Sequence, residues 1–345
     1  MFQQTDRQTG PCSNRQTGPC SNRQTDRQTG PCSKRQTDRQ TGPCSNRQTD
    51  RQTGPCSNRQ TDRQTGPCSN RETKRIRGNT GIGKATALHL ARKGARVVLA
   101  CRNRTKADAE TGSSDVVYMH LDLASFKSIR CFTETFLKAE SRLDLLINNA
   151  GLVADGRTED GFGIEFGVNH LGHFLLTRLL LERLKEAGGG RVITLSSMAH
   201  RWGHIDFEAL AVDKHLGTGG YSWQFWQAYC NSKLCNNLFT HELAKRLRGT
   251  DVTCYSVHPG VVRTELSRYV GLWQKLIIEP IARLLFLEPE AGAQTTLHCA
   301  LQEGIEHLSG SYFSFCAVQE VCARARDDAV ARKLWEVSER LCGLS

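Results

Sequence analysis

Tyr229 and Lys233, in the run Tyr229-Cys230-Asn231-Ser232-Lys233, are the residues of this 345-residue chain whose types and spacing best suit chemistry. On a helix, that spacing puts phenol and ammonium on one face, one turn apart. A phenol titrates near ~10 and exchanges its proton poorly with a substrate oxygen at neutral pH. A fixed cation beside it favours the phenolate and brings the pKa toward the working range. The pair can therefore act as acid and base on an oxygen that gains or loses a proton. Solvated helix faces also carry this spacing without function, so the reading depends on what stands around it.

The surrounding elements supply that company. From Gly78 onward, strand-like and helix-like patterns alternate. Short β-branched runs at 96–100, 116–120, 143–148, 191–196 and 252–258 predict strands, and apolar periodicity at 84–93, 125–139, 168–185, 228–247 and 292–301 predicts helices. Such alternation predicts an α/β fold, a doubly wound parallel sheet of Rossmann type covered by helices on both faces. A ligand then lies across the carboxyl ends of the strands. The residues expected there are Gly81, Ile82 and Gly83 before the first helix, Arg102, Asp122, Asn148 to Gly151, Ser197, and Pro259 with Gly260, which implies one site.

Residues 1–75 are of a different kind. The unit RQTDRQTGPCSN recurs so that Cys20, Cys32, Cys44, Cys56 and Cys68 stand twelve residues apart, and from Gln3 to Arg75 there is no Leu, Ile, Val, Met or aromatic residue. With nothing to bury against the entropy of ordering, the segment is expected to be a disordered low-complexity repeat, leaving 76–345 as the folded domain. Asp-Arg-Gln-Thr is also what repeated GACA encodes, which suggests translated simple-sequence DNA. The repeat holds 14 Lys+Arg against 6 Asp+Glu and the other 270 residues 32 against 29, so most of the net charge of +11 belongs to the repeat. Its acidic residues are interspersed and it lacks stacking aromatics, which argues against a nucleic-acid partner. The nine cysteines outside it form no CxxC pair and are expected to be reduced thiols. No secretory signal is read at the N-terminus, and residues 272–287, interrupted by Lys275, Glu279, Pro280 and Arg283, cannot span a bilayer but could lie on one or cap a lipophilic pocket. The expected location is intracellular, cytoplasmic or associated with the endoplasmic reticulum.

The runs NTGIGKATAL (79–88), LDLAS (121–125), LLINNAG (145–151), VNHLGHFLLT (168–177), SSMAH (196–200), YCNSK (229–233) and HPGVVRTEL (258–266), in this order, resemble the short-chain dehydrogenase/reductase family, within it the retinol dehydrogenase group. The resemblance implies that Tyr229 is the acid/base, Lys233 its pKa-lowering neighbour and ribose ligand, Ser197 the hydroxyl holding the substrate oxygen, and Asn169 the last member of the proton relay. It also implies that Asp122 and Leu123 flank an adenine, that Asn149, Ala150 and Gly151 line the cofactor, and that Pro259, Gly260 and Thr264 cover its nicotinamide end. Gly81, Ile82 and Gly83 would let backbone approach a diphosphate at a helix N-terminus. Where an acidic residue would grip a ribose 2′-hydroxyl stand Cys101 and Arg102, with Lys84 in the glycine loop, which favours NADP(H) over NAD(H). His170 and His173 flank Asn169 at metal-like spacing without a carboxylate or cysteine, so they are read as structural and no metal is expected.

The family pattern breaks at its start. Arg77 stands where the first loop glycine belongs, Ile76 where a threonine does, and the repeat lies where the first, central strand should be. A crossover of 14 residues from Arg102 to Asp115 is short, and the apolar N-terminal anchor common in the group is missing. The reading is an NADP(H)-dependent oxidoreductase interconverting a lipophilic alcohol and an aldehyde or ketone, with room for peripheral membrane contact and for a homodimer through the long helices. The alternative is an inactive remnant or interaction scaffold, because a polar arginine-rich segment cannot replace a buried apolar strand.

Overall fold

A computed structural model of the chain describes residues 81–102, 116–213, 221–262 and 287–345, with the side chains of 211–213 and 221–225 excepted. The disorder expected of the repeat, the lost first strand, the short crossover, Thr264 and all but Leu287 of the 272–287 stretch read as a membrane contact lie outside the described residues.

Helix α1 (Ile82–Arg92) starts directly after Gly81, whose backbone is extended. Strands β1 (Val97–Cys101) and β2 (Val116–His120) pair in parallel, Val97 opposite Val116 and Cys101 opposite His120. A second sheet runs in the order β3 (Leu145–Asn148), β4 (Arg191–Leu195), β5 (Thr253–His258), β6 (Tyr312–Ser314), β7 (Ala317–Gln319). Its first four strands are parallel and β7 is antiparallel. Every residue of β5 is buried, as expected of a strand covered on both faces.

Among the described residues β1 and β3 pair on one edge each, so the strands form two sheets rather than one. Helix α1 bridges them. Its Ile82 and Leu90 join Leu195, Val262, Ala293 and Leu297 in one apolar cluster, with Val97 of β1 and Leu145 and Ile147 of β3 packed against it. Bidentate hydrogen bonds from Arg96 to Glu140, at 2.8 and 2.7 Å, tie the start of β1 to the end of helix α2 (Phe126–Ala139). Ser125 caps α2 by accepting from the Ser128 amide at 3.3 Å.

The helix expected at 168–185 is in three pieces: a turn at Ile164–Phe166, a π-helical stretch at Gly167–Gly172, and α3 (His173–Glu186). A short helix α4 (Phe207–Asp213) follows, then α5 (Tyr221–Arg246), which begins seven residues before the expected start at 228. Helix α6 spans Pro289–Leu301, and α7, which periodicity had not marked, spans Asp328–Leu341. Asp327 caps α7 by accepting from the amides of Ala329 and Val330 at 2.9 and 3.0 Å. Trp335 of α7 is buried against Phe174 of α3 at 5.0 Å and Phe239 of α5 at 5.8 Å, which seals the main core.

Strands β6 and β7 were not legible either. Their two-residue turn, Phe315-Cys316, has positive φ at both positions (52° and 58°), a geometry usually built from Asn or Gly. His170 and His173 are buried, and burial pushes them down to about 3 and about 4. His170 pairs its Nε2 with Ser338 Oγ at 2.9 Å and stacks on Phe166. The nine cysteines outside the repeat are free thiols, and among the described residues no helix is long and apolar enough to cross a membrane.

Candidate active site

Helix α5 carries Tyr229 and Lys233 inward, and both are buried. Lys233 is placed by the end of β4. Its Nζ donates to the Leu195 carbonyl at 3.0 Å, Asn236 Nδ2 donates to the same oxygen at 3.1 Å, and Ser196 Oγ donates to the Lys233 carbonyl at 3.0 Å. The next residue after this strand end, Ser197, caps a short 3-10 helix by accepting from the Ala199 amide at 3.2 Å, and its hydroxyl neighbours the Tyr229 phenol and favours the phenolate. His200 Nδ1 donates to the Ser197 carbonyl at 2.7 Å, which fixes the backbone behind that hydroxyl.

Sequence reasoning expected the lysine to lower the tyrosine. Burial dominates instead, pushing the Tyr229 phenol up to about 12, with the neighbouring Ser197 hydroxyl opposing. Burial likewise pushes the Lys233 ammonium down to about 8. The reason is geometric: Lys233 Nζ lies 5.5 Å from the Tyr229 ring centroid and spends its hydrogen bond on Leu195. At neutral pH the phenol holds its proton and, beside the Ser197 hydroxyl, can donate to a carbonyl oxygen.

Asn169 sits in the π-helical stretch, fully buried. Its amide exchanges two hydrogen bonds with the Leu152 backbone, Nδ2 to O and N to Oδ1, both 2.9 Å, and Nδ2 also reaches Ser232 Oγ at 3.0 Å. It therefore clamps the loop after β3 against the helix that carries Tyr229. The same loop accepts support from Glu165, whose Oε1 takes the Ala154 amide at 3.3 Å and whose carboxyl burial raises to about 7. A Cβ on Gly151 of this loop would stand 3.2 Å from Lys233 Nζ, so the bare backbone lets the ammonium come close.

The cofactor-side residues cluster more loosely. Asn149 meets the start of α1: a Cβ on Gly83 would fall 2.6 Å from Asn149 Nδ2, and Asn149 Oδ1 is buried without a hydrogen-bond partner. A glycine cradle beside an unsatisfied acceptor fits a dinucleotide, whose ribose hydroxyls and carboxamide are donors. Gly81 is the N-cap of α1, where a Cβ would meet the Gly83 nitrogen at an ordinary 4.0 Å, next to Ile82 in the cluster that joins the two sheets and with Lys84 one residue beyond Gly83. Ala150 is exposed between Asn149 and Gly151, and Arg102 is exposed just past β1. Asp122 is taken up locally, its Oδ1 accepting from the Ala124 amide at 2.9 Å, with Leu123 packed against the main core. Pro259 and Gly260 follow β5, Gly260 at φ +86° against Leu287. Thus Ser197, Tyr229, Lys233, Asn169 and Gly151 are brought together, while Arg102 and Asp122 follow the paired ends of β1 and β2.

Sequence reasoning missed Ser232, Asn236 and the Leu195 carbonyl. Asn236 could have been found, since it lies three residues past Lys233 on one helix face.

The short chain dehydrogenase family matches residues 76–215 and 217–275. The chain is 52% identical over 275 residues to "Dehydrogenase/reductase SDR family member 13" from Bos taurus, covering 77% of this chain and 71% of that protein. It is 50% identical over 279 residues to "Retinol dehydrogenase 11" from Mus musculus, covering 77% and 84%. A crystal structure of an uncharacterized protein from Mycobacterium Paratuberculosis is 37% identical, with a TM-score of 0.61 over 77% of this chain and 90% of that one. At 21% identity and a TM-score of 0.54, an actinorhodin polyketide ketoreductase shares the fold. The order of the strands, the helix that carries tyrosine and lysine behind them, and these likenesses agree, and the chain belongs to the short-chain dehydrogenase family of oxidoreductases.

Proposed function

We propose that the protein is an NADP(H)-dependent oxidoreductase that interconverts a lipophilic alcohol and its aldehyde or ketone, with Tyr229 as the acid/base. The observation that carries this reading is the buried Tyr229 phenol, beside Ser197 and one helical turn from a buried Lys233. A bound nicotinamide supplies or accepts the hydride at the carbon. Ser197 holds the substrate oxygen, and Tyr229, protonated at rest, gives its proton to that oxygen on reduction or takes it on oxidation. The phenolate left behind is stabilised by the Lys233 charge. Asn169 acts through position, keeping the Gly151 loop against Lys233, and completes the path by which the proton is replaced. Relatives named as retinol dehydrogenases support a retinoid or similar apolar body on the substrate.

Arg102 and Lys84 favour a 2′-phosphate. Arg102→Ala is expected to weaken NADPH about 10-fold more than NADH, because charge-assisted hydrogen bonds at an exposed site are worth on the order of 1.5 kcal/mol. Equal losses for both would remove that role. Gly83→Ala tests the cradle: alanine favours a helix by roughly 1 kcal/mol over glycine, whereas its Cβ must displace the Asn149 amide. The expected outcome is unchanged or slightly higher ligand-free stability with about 10-fold weaker nucleotide binding. The whole reading is tested by thermal unfolding with NADPH and NADH followed by aldehyde reduction. A Tm that NADPH raises more than NADH, with turnover, supports it, since binding to the native state raises stability by mass action; a cooperative transition blind to both nucleotides defeats it.

A further inference from the structure

Seven large apolar side chains are exposed among the described residues, and four of them adjoin the proposed reaction site in sequence. Met198 follows Ser197, Val261 follows Gly260, Trp226 lies one turn before Tyr229, and Trp202 ends the 3-10 helix that Ser197 caps. The tryptophans are 54% (Trp202) and 41% (Trp226) exposed. Their rings are 6.4 Å apart, and Trp226 is 5.9 Å from the Tyr229 ring at 31°. A run of three aromatic faces thus leads from solvent to the phenol.

The backbone behind this wall is framed by hydrogen bonds. Gln227 Nε2 donates to the Trp202 carbonyl at 3.0 Å and to Asn231 Oδ1 at 2.8 Å, and that same Oδ1 accepts the His204 amide at 2.7 Å. From the other side Arg324 donates to the carbonyls of Gly203 and Arg201 at 2.7 and 3.3 Å. A Cβ on Gly203 would lie 2.7 Å from the Cys230 carbonyl, so the segment after Trp202 is pressed directly onto α5. Two exposed indoles carried on a backbone framed in this way present their faces to a ligand.

Resting on the oxidoreductase reading above, we infer that Trp226 and Trp202 are specificity-determining residues that select, by ring stacking, substrates whose reacting carbon is joined to a flat, conjugated apolar body. A planar body lies along the indole faces while its oxygen reaches Tyr229 and Ser197; a puckered saturated body of the same carbon frame touches the wall at fewer points.

The test compares 2-naphthaldehyde with decahydronaphthalene-2-carbaldehyde, using the ratio of their kcat/KM values so that intrinsic reactivity cancels between variants. Trp226→Leu and Trp202→Leu keep apolar bulk and remove the π face. Each is expected to lower the flat-to-puckered ratio roughly 3- to 10-fold, the range of aromatic pair energies, while Trp226→Phe retains most of it. A ratio unchanged in both leucine variants overturns the inference. If the wild type reduces neither aldehyde with either nucleotide, the oxidoreductase reading fails on its own. Selection is then read from binding of 2-naphthalenemethanol by saturation-transfer NMR, where loss of signal in Trp226→Leu upholds the wall and equal signal overturns it.

Discussion

Tyr229→Phe is expected to lower kcat/KM by about 10³-fold, within the range that general acid catalysis contributes, while nucleotide-dependent thermal protection persists. The substitution removes one oxygen and leaves the ring in its packing against Trp226. Ser197 keeps its hydrogen bond from the Ala199 amide, and Lys233 keeps Leu195, so neither neighbour is left without a partner. Folding therefore should not change, and removing the buried hydroxyl, pushed up to about 12, takes away a group that is neutral in both folded and unfolded chains at pH 7. The informative measurement pairs steady-state reduction with Tm shifts by NADPH on the same preparation. Turnover within threefold of the wild type would show that another group supplies the proton and would remove Tyr229 from the mechanism. Loss of both turnover and thermal protection would instead mean that the phenol serves nucleotide binding.

Tyr229 and Lys233 could be found by spacing because helical geometry is local: four residues apart means one face, whatever the fold. The strand at 252–258 was legible because a strand buried on both faces carries few charges and many apolar or β-branched residues, and the one at 116–120 because it opens on Val116-Val117-Tyr118. What could not be read was set by tertiary context. The π-helical stretch around Asn169 shows no mark in a run that looks uniformly helical from 168 to 185, yet it turns Asn169 onto Leu152. Strands β6 and β7 hid because Phe315 and Cys316 make the turn without glycine or asparagine. The tyrosine's titration was expected in the wrong direction because spacing reports the distance to a cation and says nothing about burial, and burial is the larger effect at Tyr229. Arg102 and Asp122 were placed by their positions just after strands, and only the adenine role of Asp122 by family likeness; they follow the paired ends of β1 and β2, and their roles rest on the nucleotide experiments.

The opposite pull of burial and function is strongest at Lys233, and Lys233→Met should separate them. Burial lowers this ammonium from an ordinary 10.5 to about 8, so the unfolded chain binds the proton more tightly than the folded one. Stability contributed by the site therefore rises with pH between about 8 and 10.5, and below about 8 the full cost of the buried charge is present. A shift of this size corresponds to roughly 3 kcal/mol. Methionine fills similar volume without charge, and the Leu195 carbonyl keeps Asn236 as a donor at 3.1 Å. His258 and His173, both lowered by burial first and in part by the Lys233 charge, are relieved as well. The ligand-free variant is thus expected to be more stable than the wild type at pH 7, by up to roughly 3 kcal/mol, with the gap closing as pH rises toward 10. Turnover should fall by about 10²-fold or more, because no cation remains to stabilise the phenolate. Urea unfolding at pH 7 and pH 9.5 reads the first effect and steady-state kinetics the second. A variant less stable than the wild type at pH 7, or a gap that widens with pH, would mean that Lys233 is held charged by partners and supports the fold. A gain in stability together with lost turnover would mean that the protein tolerates an unfavourable buried cation because the chemistry at Tyr229 needs it.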